Sequence, residues 1–156
     1  MLKSKRLEKV KKQFDQLNQL KVEVGVLKNT RPYKASDISV VEVATIHEFG
    51  TETIKPRSFL RMPIRDHQKA IIEKAVKEKY RFLISGEISA KEFLSYIGEL
   101  AVTWSIEAFD TQGFGTWPDH AESTKAQLKR KGIIKARLLQ DTGALKKSIT
   151  YQVVKK

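Results

Sequence analysis

Leu20-Lys21-Val22-Glu23-Val24-Gly25-Val26 is the stretch on which the fold turns. Leu20, Val22, Val24 and Val26 alternate with Lys21, Glu23 and Gly25, which is the period of a half-buried strand. Near the other end Ile149, Tyr151 and Val153 alternate with Ser148, Thr150 and Gln152 and predict a second strand. Between them the apolar spacing is mostly helical. Few, separated strands among long helices predict an α+β fold, a small antiparallel sheet packed against long helices.

Upstream of the first strand, Leu7, Val10, Phe14 and Leu17 recur at intervals of three and four residues, with lysines on the other faces. Residues 1–19 therefore read as an N-terminal amphipathic helix, and residues 20–156 as one domain. Downstream, Asn29 to Ser36 reads as a polar loop around Pro32. Ser36-Asp37 is a candidate cap for a helix through Val40, Val41, Ala44 and His47 that ends at Gly50. Alternation at Ile38, Val40, Ala44 and Ile46 leaves a strand open there. Residues 51–62, with Pro56 and several charges, suit an extended loop or edge strand.

Pro63 suits a first helical turn, and a helix with Ile64, Ile71, Ile72, Ala75, Val76 and Leu83 inward should follow and stop at Gly86. Ser89-Ala90-Lys91-Glu92 is a capping-box sequence. It opens a central helix carrying Phe93, Ile97, Leu100, Ala101, Trp104 and Ala108, which predicts a buried Trp104. Gln112 to Pro118 is a Gly-rich loop in which Trp117 should be less buried. Residues 121–131 read as a short basic helix ended by Gly132, and Asp141-Thr142-Gly143 as a turn or cap.

The 156 residues include no cysteine, which excludes disulfides, thiolate metal sites and thiol catalysis. No apolar run approaches a membrane span or a signal-peptide block, so synthesis in a cytoplasm and no membrane association are expected. The net charge of +12 is unevenly placed: +5 over residues 1–12, +9 over 125–156 and −2 between. Such ends suit an acidic protein surface or nucleic acid, or else a solvated, solubilising face.

Motifs for chemistry are incomplete. His47-Glu48-Phe49-Gly50-Thr51 starts like a zinc-protease helix, but Thr51 stands where the second histidine belongs. Asp141-Thr142-Gly143 occurs once, without the second carboxylate that an aspartic protease shares a proton with. Gly113 and Gly115 lack the Lys-Ser/Thr continuation of a nucleotide loop. No enzyme, cofactor or metal is expected.

Three pieces in order carry a resemblance. They are Val22-Glu23-Val24-Gly25-Val26 with Ala44-Thr45-Ile46-His47-Glu48-Phe49-Gly50-Thr51; Ile54-Lys55-Pro56-Arg57-Ser58-Phe59-Leu60-Arg61; and Trp117 with Ser123-Thr124, Lys131-Gly132 and Leu139-Gln140-Asp141-Thr142-Gly143-Ala144-Leu145-Lys146-Lys147-Ser148-Ile149. Together they resemble the virion-morphogenesis proteins of tailed bacteriophages, the neck and tail-completion group that includes the Mu G-like tail-assembly proteins. The chain departs from that pattern at Asp119-His120-Ala121, where relatives usually carry Pro-Leu-Ser.

The resemblance implies a non-enzymatic structural protein of the virion neck or tail end. It implies a homo-oligomeric ring that meets connector or head-closure proteins and tail-terminator or tail-tube proteins, with non-specific contact to packaged DNA. The alternative from another class is a basic, non-specific nucleic-acid-binding protein. The candidate interaction residues are Phe49, Arg57, Phe59, Leu60 and Arg61, on a Pro56-stiffened arm, and Lys129, Arg130, Lys131, Lys146 and Lys147 on the basic end. Phe59 and Leu60 either plug a neighbouring subunit or enter their own core.

Overall fold

A computed structural model describes residues 2–26, 38–133 and 143–156. Its elements are α1 (Leu2–Gln19), β1 (Leu20–Val26), α2 (Val40–Phe49), α3 (Arg61–Ser85), α4 (Ala90–Asp110), α5 (Glu122–Arg130), α6 (Ala144–Ser148) and β2 (Ile149–Lys155). The strands pair as a two-stranded sheet. Its antiparallel register is set by the Lys156 N–H donating to the Gln19 carbonyl at 2.9 Å and the Gln152 amide donating to Glu23 at 2.9 Å. The α+β class read from the sequence is the fold observed. The 29–36 loop, the Ser36-Asp37 cap and the Asp141-Thr142 part of the turn lie outside the described residues.

The chain divides into two compact units, residues 1–25, 64–103 and 150–156 in one, and 26–63 and 104–149 in the other. The first unit therefore gathers α1, most of α3 and α4, and most of the sheet. Gln13 ties α1 to the start of α4, its amide donating to the Ile88 carbonyl at 3.2 Å and its oxygen accepting from the Ala90 N–H at 2.9 Å. The capping box forms as read: the Ser89 N–H and hydroxyl both donate to Glu92, at 2.7 and 2.8 Å, and Ser89 Oγ accepts from the Glu92 N–H at 3.2 Å. This satisfies donors that a helix start otherwise leaves unpaired.

Two readings of the long helices are corrected. On α3 the buried positions are Ile71, Ala75 and Leu83, whereas Ile72 and Val76 are 42% and 45% exposed. Ile72 and Val76 each lie one residue, about 100° of helix, from the inward row, so a spacing that fits one face cannot hold both sets. On α4 Trp104 is only half-buried, as is Trp117, and the buried set at the end of the helix is Ser105, Ala108 and Phe109. Trp104 sits at the edge of that face, with its ring 6.0 Å from Phe114.

In the second unit, α2 starts at a capping box of Ser39 and Glu42, with Val40 and Ala44 buried, which decides this stretch for helix. It packs against α6, a short helix that the turn reading of Asp141-Thr142-Gly143 did not include; Leu145 and Ile149 there are buried. After α4 the residues Gln112, Gly113, Phe114 and Gly115 all have positive φ, between 53° and 78°, so the chain reverses through a left-handed turn. α5 follows and ends, as read, at Lys131 and Gly132.

Where β2 crosses α4 there is no room for a side chain: a Cβ on Gly98 would lie 2.4 Å from the Tyr151 ring. Gly98→Ala should cost about 1–3 kcal/mol of stability, as overpacking does. Adding Tyr151→Ala should recover part of it, so that a double-mutant cycle in urea reads a coupling between the two positions. Strictly additive losses would mean that the ring does not set the limit at Gly98.

Candidate functional site

The sequence puts an acid where apolar spacing asks for a core residue. Val40, Ala44 and Glu48 follow one another at four-residue intervals on α2, and all three are buried. A buried carboxylate is costly unless its oxygens accept hydrogen bonds. Here they accept several. Oε1 takes the Ser58 hydroxyl at 2.6 Å, the Arg61 N–H at 3.0 Å and Arg61 Nε at 3.1 Å; Oε2 takes the N–H groups of Phe59 at 2.8 Å and Leu60 at 3.0 Å. Ser58 Oγ in turn accepts from the Met62 N–H at 3.0 Å, and Pro63, next in line, has no N–H to satisfy. Glu48 thus fills the N-terminus of α3 with a negative charge, where the helix dipole favours one.

The rest of the 54–61 segment is fastened to the same place. Gly50, with φ of 77°, ends α2, and a Cβ there would meet the Ile54 carbonyl at 2.7 Å. The Arg57 N–H donates to the His47 carbonyl at 2.7 Å, and its guanidinium holds the carbonyls of Pro118 and Asp119 at 3.0 and 2.8 Å. Trp117 Nε1 donates to the Ser58 carbonyl at 3.1 Å. Phe59 is fully buried, 5.1 Å from the Phe109 ring, which stands edge-on to Trp117 at 5.6 Å. Gly113 leaves space for that indole, since a Cβ would come within 2.1 Å of it.

Of the candidate interaction residues, Phe49, Arg57, Phe59, Leu60 and Arg61 come together here, but not as a free arm. Phe59 belongs to its own core, and this corrects its reading as a plug for a neighbour: the Glu48 carboxylate holds its backbone and Phe109 its ring. Arg57 and Leu60 are half-buried. Phe49 is 59% exposed, with the Arg61 guanidinium 4.3 Å over its ring. The bond from Arg61 to Glu48 keeps that pair in place. Lys129, Arg130 and Lys131 are exposed at the end of α5, and Lys147 is exposed on α6, whereas Lys146 is engaged with Asp110 at 2.6 Å.

In the sequence Glu48 reads as part of an incomplete zinc-protease motif and of the family-like stretch that ends α2, and not as a buried anchor. The signal that would have found it is an acid in the third place of the apolar row Val40, Ala44, Glu48, ten residues before a Ser-Phe-Leu-Arg helix start. Among the described residues no group of three or more His, Asp or Glu is placed to hold a metal ion. No described helix is long and apolar enough to cross a membrane. Compared with protein-family models, with curated proteins and with solved structures, the chain matches none.

Next to Glu48, His47 Nδ1 is buried and lacks a hydrogen-bond partner among the described residues. Burial pushes the imidazole below its ordinary 6.5, and the Arg57 charge acts the same way. His47 is therefore neutral in the fold and binds protons more readily in the unfolded chain. The stability it contributes is complete above pH 6.5 and is lost as pH falls from there towards the lower folded value. Melting temperature should fall as the pH drops below 6.5, and His47→Leu should flatten that limb. An unchanged limb would assign it to other groups.

Glu48→Gln places an amide donor among N–H donors. It should cost about 3 kcal/mol or more, as breaking a buried charged network does. Its urea midpoint should fall well below that of Glu42→Gln, whose carboxylate caps α2 at the surface. Equal losses would remove Glu48 from its central place.

Proposed function

We propose that this chain is a structural, non-enzymatic virion protein of a tailed bacteriophage, which completes the tail or the head–tail joint by assembling as a homo-oligomeric ring. The observation that carries the reading is where the family-like residues fall. His47-Glu48-Phe49-Gly50, Arg57-Ser58-Phe59-Leu60-Arg61 and Trp117 are distant in sequence and meet around one buried carboxylate. Residues engaged in maintaining one shape are what a part that works by surface complementarity needs.

On this reading the residues of the knot divide by accessibility. Glu48, Phe59 and Trp117 hold the scaffold, and Phe49 with Arg61 offers an exposed aromatic–cation pair of the kind that anchors interfaces. A closed ring needs two different patches on each subunit, one meeting the other on its neighbour. Lys129, Arg130, Lys131 and Lys147 are the charges that would steer a connector, head-closure, tail-terminator or tail-tube partner, or touch packaged DNA. The alternative, a non-specific nucleic-acid-binding protein, rests on the same exposed lysines at the end of α5.

Electron microscopy and light scattering of the concentrated protein test the reading. Rings should form, alone or on a phage connector. Phe49→Ser should abolish them while the circular dichroism stays unchanged, because the side chain is already 59% exposed. A particle that stays monomeric on every connector tried, or rings indifferent to Phe49, would sink it. Titrating a DNA duplex against salt separates the alternative. Nucleic-acid binding should weaken by orders of magnitude, about 10³-fold or more, between 50 and 200 mM salt if many phosphates are held. Lys129→Glu, Arg130→Glu, Lys131→Glu should then remove it.

A further inference from the structure

A further apolar surface is left uncovered besides Phe49. It lies on the first unit, where α1 borders α3. Ile72, Val76 and Tyr80 follow at four-residue intervals on α3 and are 42%, 45% and 36% exposed. At helical rise they form a stripe about 12 Å long on one face. Phe14 of α1, itself 40% exposed, sets its ring edge-on to Tyr80 at 6.5 Å and continues the stripe onto the neighbouring helix. Leu7, one heptad before Phe14 on the same side of α1, is 70% exposed. Scattered exposed leucines need no explanation, but a row shared by two packed helices does.

The charges around the row are mostly of one sign. Lys11 lies between Leu7 and Phe14 in the helical net, and Lys69 and Lys77 flank Ile72, Val76 and Tyr80, while Lys79 lies over the Tyr96 ring at 5.2 Å. Of the acids near the row, Glu73 is engaged by Lys69 at 3.8 Å, and Glu8 and Asp15 adjoin Leu7 and Phe14 on α1. We infer that this α1–α3 face is a docking site for an acidic amphipathic helix of another protein, its apolar residues lying on Ile72, Val76, Tyr80 and Phe14 and its carboxylates on the bordering lysines.

The surface chemistry selects that occupant. A second copy docked through the same face would bring Lys11, Lys69 and Lys77 against their own counterparts. A phosphate backbone would meet the lysines but has no aliphatic surface to cover Ile72 and Val76. An acidic helix with apolar residues at intervals of three and four satisfies both, as in helix-in-groove recognition. The face shares no residue with the Glu48 knot or with α5, and it does not depend on the phage assignment.

The test uses the full chain and a synthetic helix of about 18 residues, with leucines at i, i+3, i+4 and i+7 and glutamates elsewhere. Titration calorimetry should detect saturable binding that weakens as salt rises. A matched peptide with lysine in place of glutamate should not bind. Ile72→Ser with Val76→Ser should weaken the acidic peptide about ten-fold or more and leave the circular dichroism unchanged, since both side chains are already exposed. Amide shifts on binding should concentrate on α1 and α3. The inference is overturned if the acidic peptide fails to bind, if the lysine peptide binds equally, or if the serine pair leaves affinity unchanged. It is also overturned if sedimentation finds a self-associated species that the serine pair dissolves. Retention on phosphatidylserine vesicles that the serine pair abolishes would assign the face to a lipid surface instead.

Discussion

A single carboxylate organises the second unit. Glu48 is buried and yet acts as an acceptor for a helix start, for a hydroxyl and for an arginine, so most of its lone-pair capacity is used. Without those donors a charge at that depth would be strongly unfavourable, and without the charge the first N–H groups at the start of α3 would have no partner. Each side of the interaction removes the other's penalty. The entry of Phe59 into the core follows, because the carboxylate fixes the backbone immediately on either side of its ring.

Around that anchor the contacts are directional and come from distant parts of the chain. Arg57 joins α2 to Pro118 and Asp119, and Trp117 returns a hydrogen bond to Ser58. The left-handed turn at 112–115 makes the return possible, and Gly113 lets the indole lie close against it. Asp119 is held in its turn by Lys125 of α5 at 2.9 Å. A hydrogen-bonded frame of this kind specifies one geometry more tightly than apolar packing alone. It also leaves Phe49 and Arg61 presented at the surface in a fixed relation, which is what a contact residue needs if binding is not to cost the ordering of a loose arm.

The first unit is built on a different principle. Its helices meet through rows of small and branched side chains, with Gln13 and the Ser89–Glu92 box satisfying the helix start between them. It also leaves apolar surface exposed on the side that carries many lysines. Two kinds of surface thus coexist on the chain, a rigid aromatic–cation pair held by a buried network, and an apolar row edged with positive charge. They suit partners of different chemistry.

Much of the local structure was legible in residue order. Alternation at 20–26 and 149–153 identifies both strands because a pleated strand shows its faces every second residue. Ser89 to Glu92 announces the start of α4 because a capping box is a local interaction. Gly50 and Gly132 mark the ends of α2 and α5 because each stop needs a positive φ. What stayed hidden depends on which faces meet. Ile72 and Ile71 are adjacent in sequence and equally apolar, and only packing decides that one is buried and the other exposed. Trp104 and Phe109 are both on α4, and the tertiary arrangement, not their hydrophobicity, put the phenylalanine inside. Phe59 could have plugged a neighbour or its own core until the position of Phe109 was known. Glu48 read only as one residue of an incomplete motif near a helix end, since its worth as a core residue comes from N–H groups ten or more positions away, which the apolar row on α2 cannot by itself place beside it.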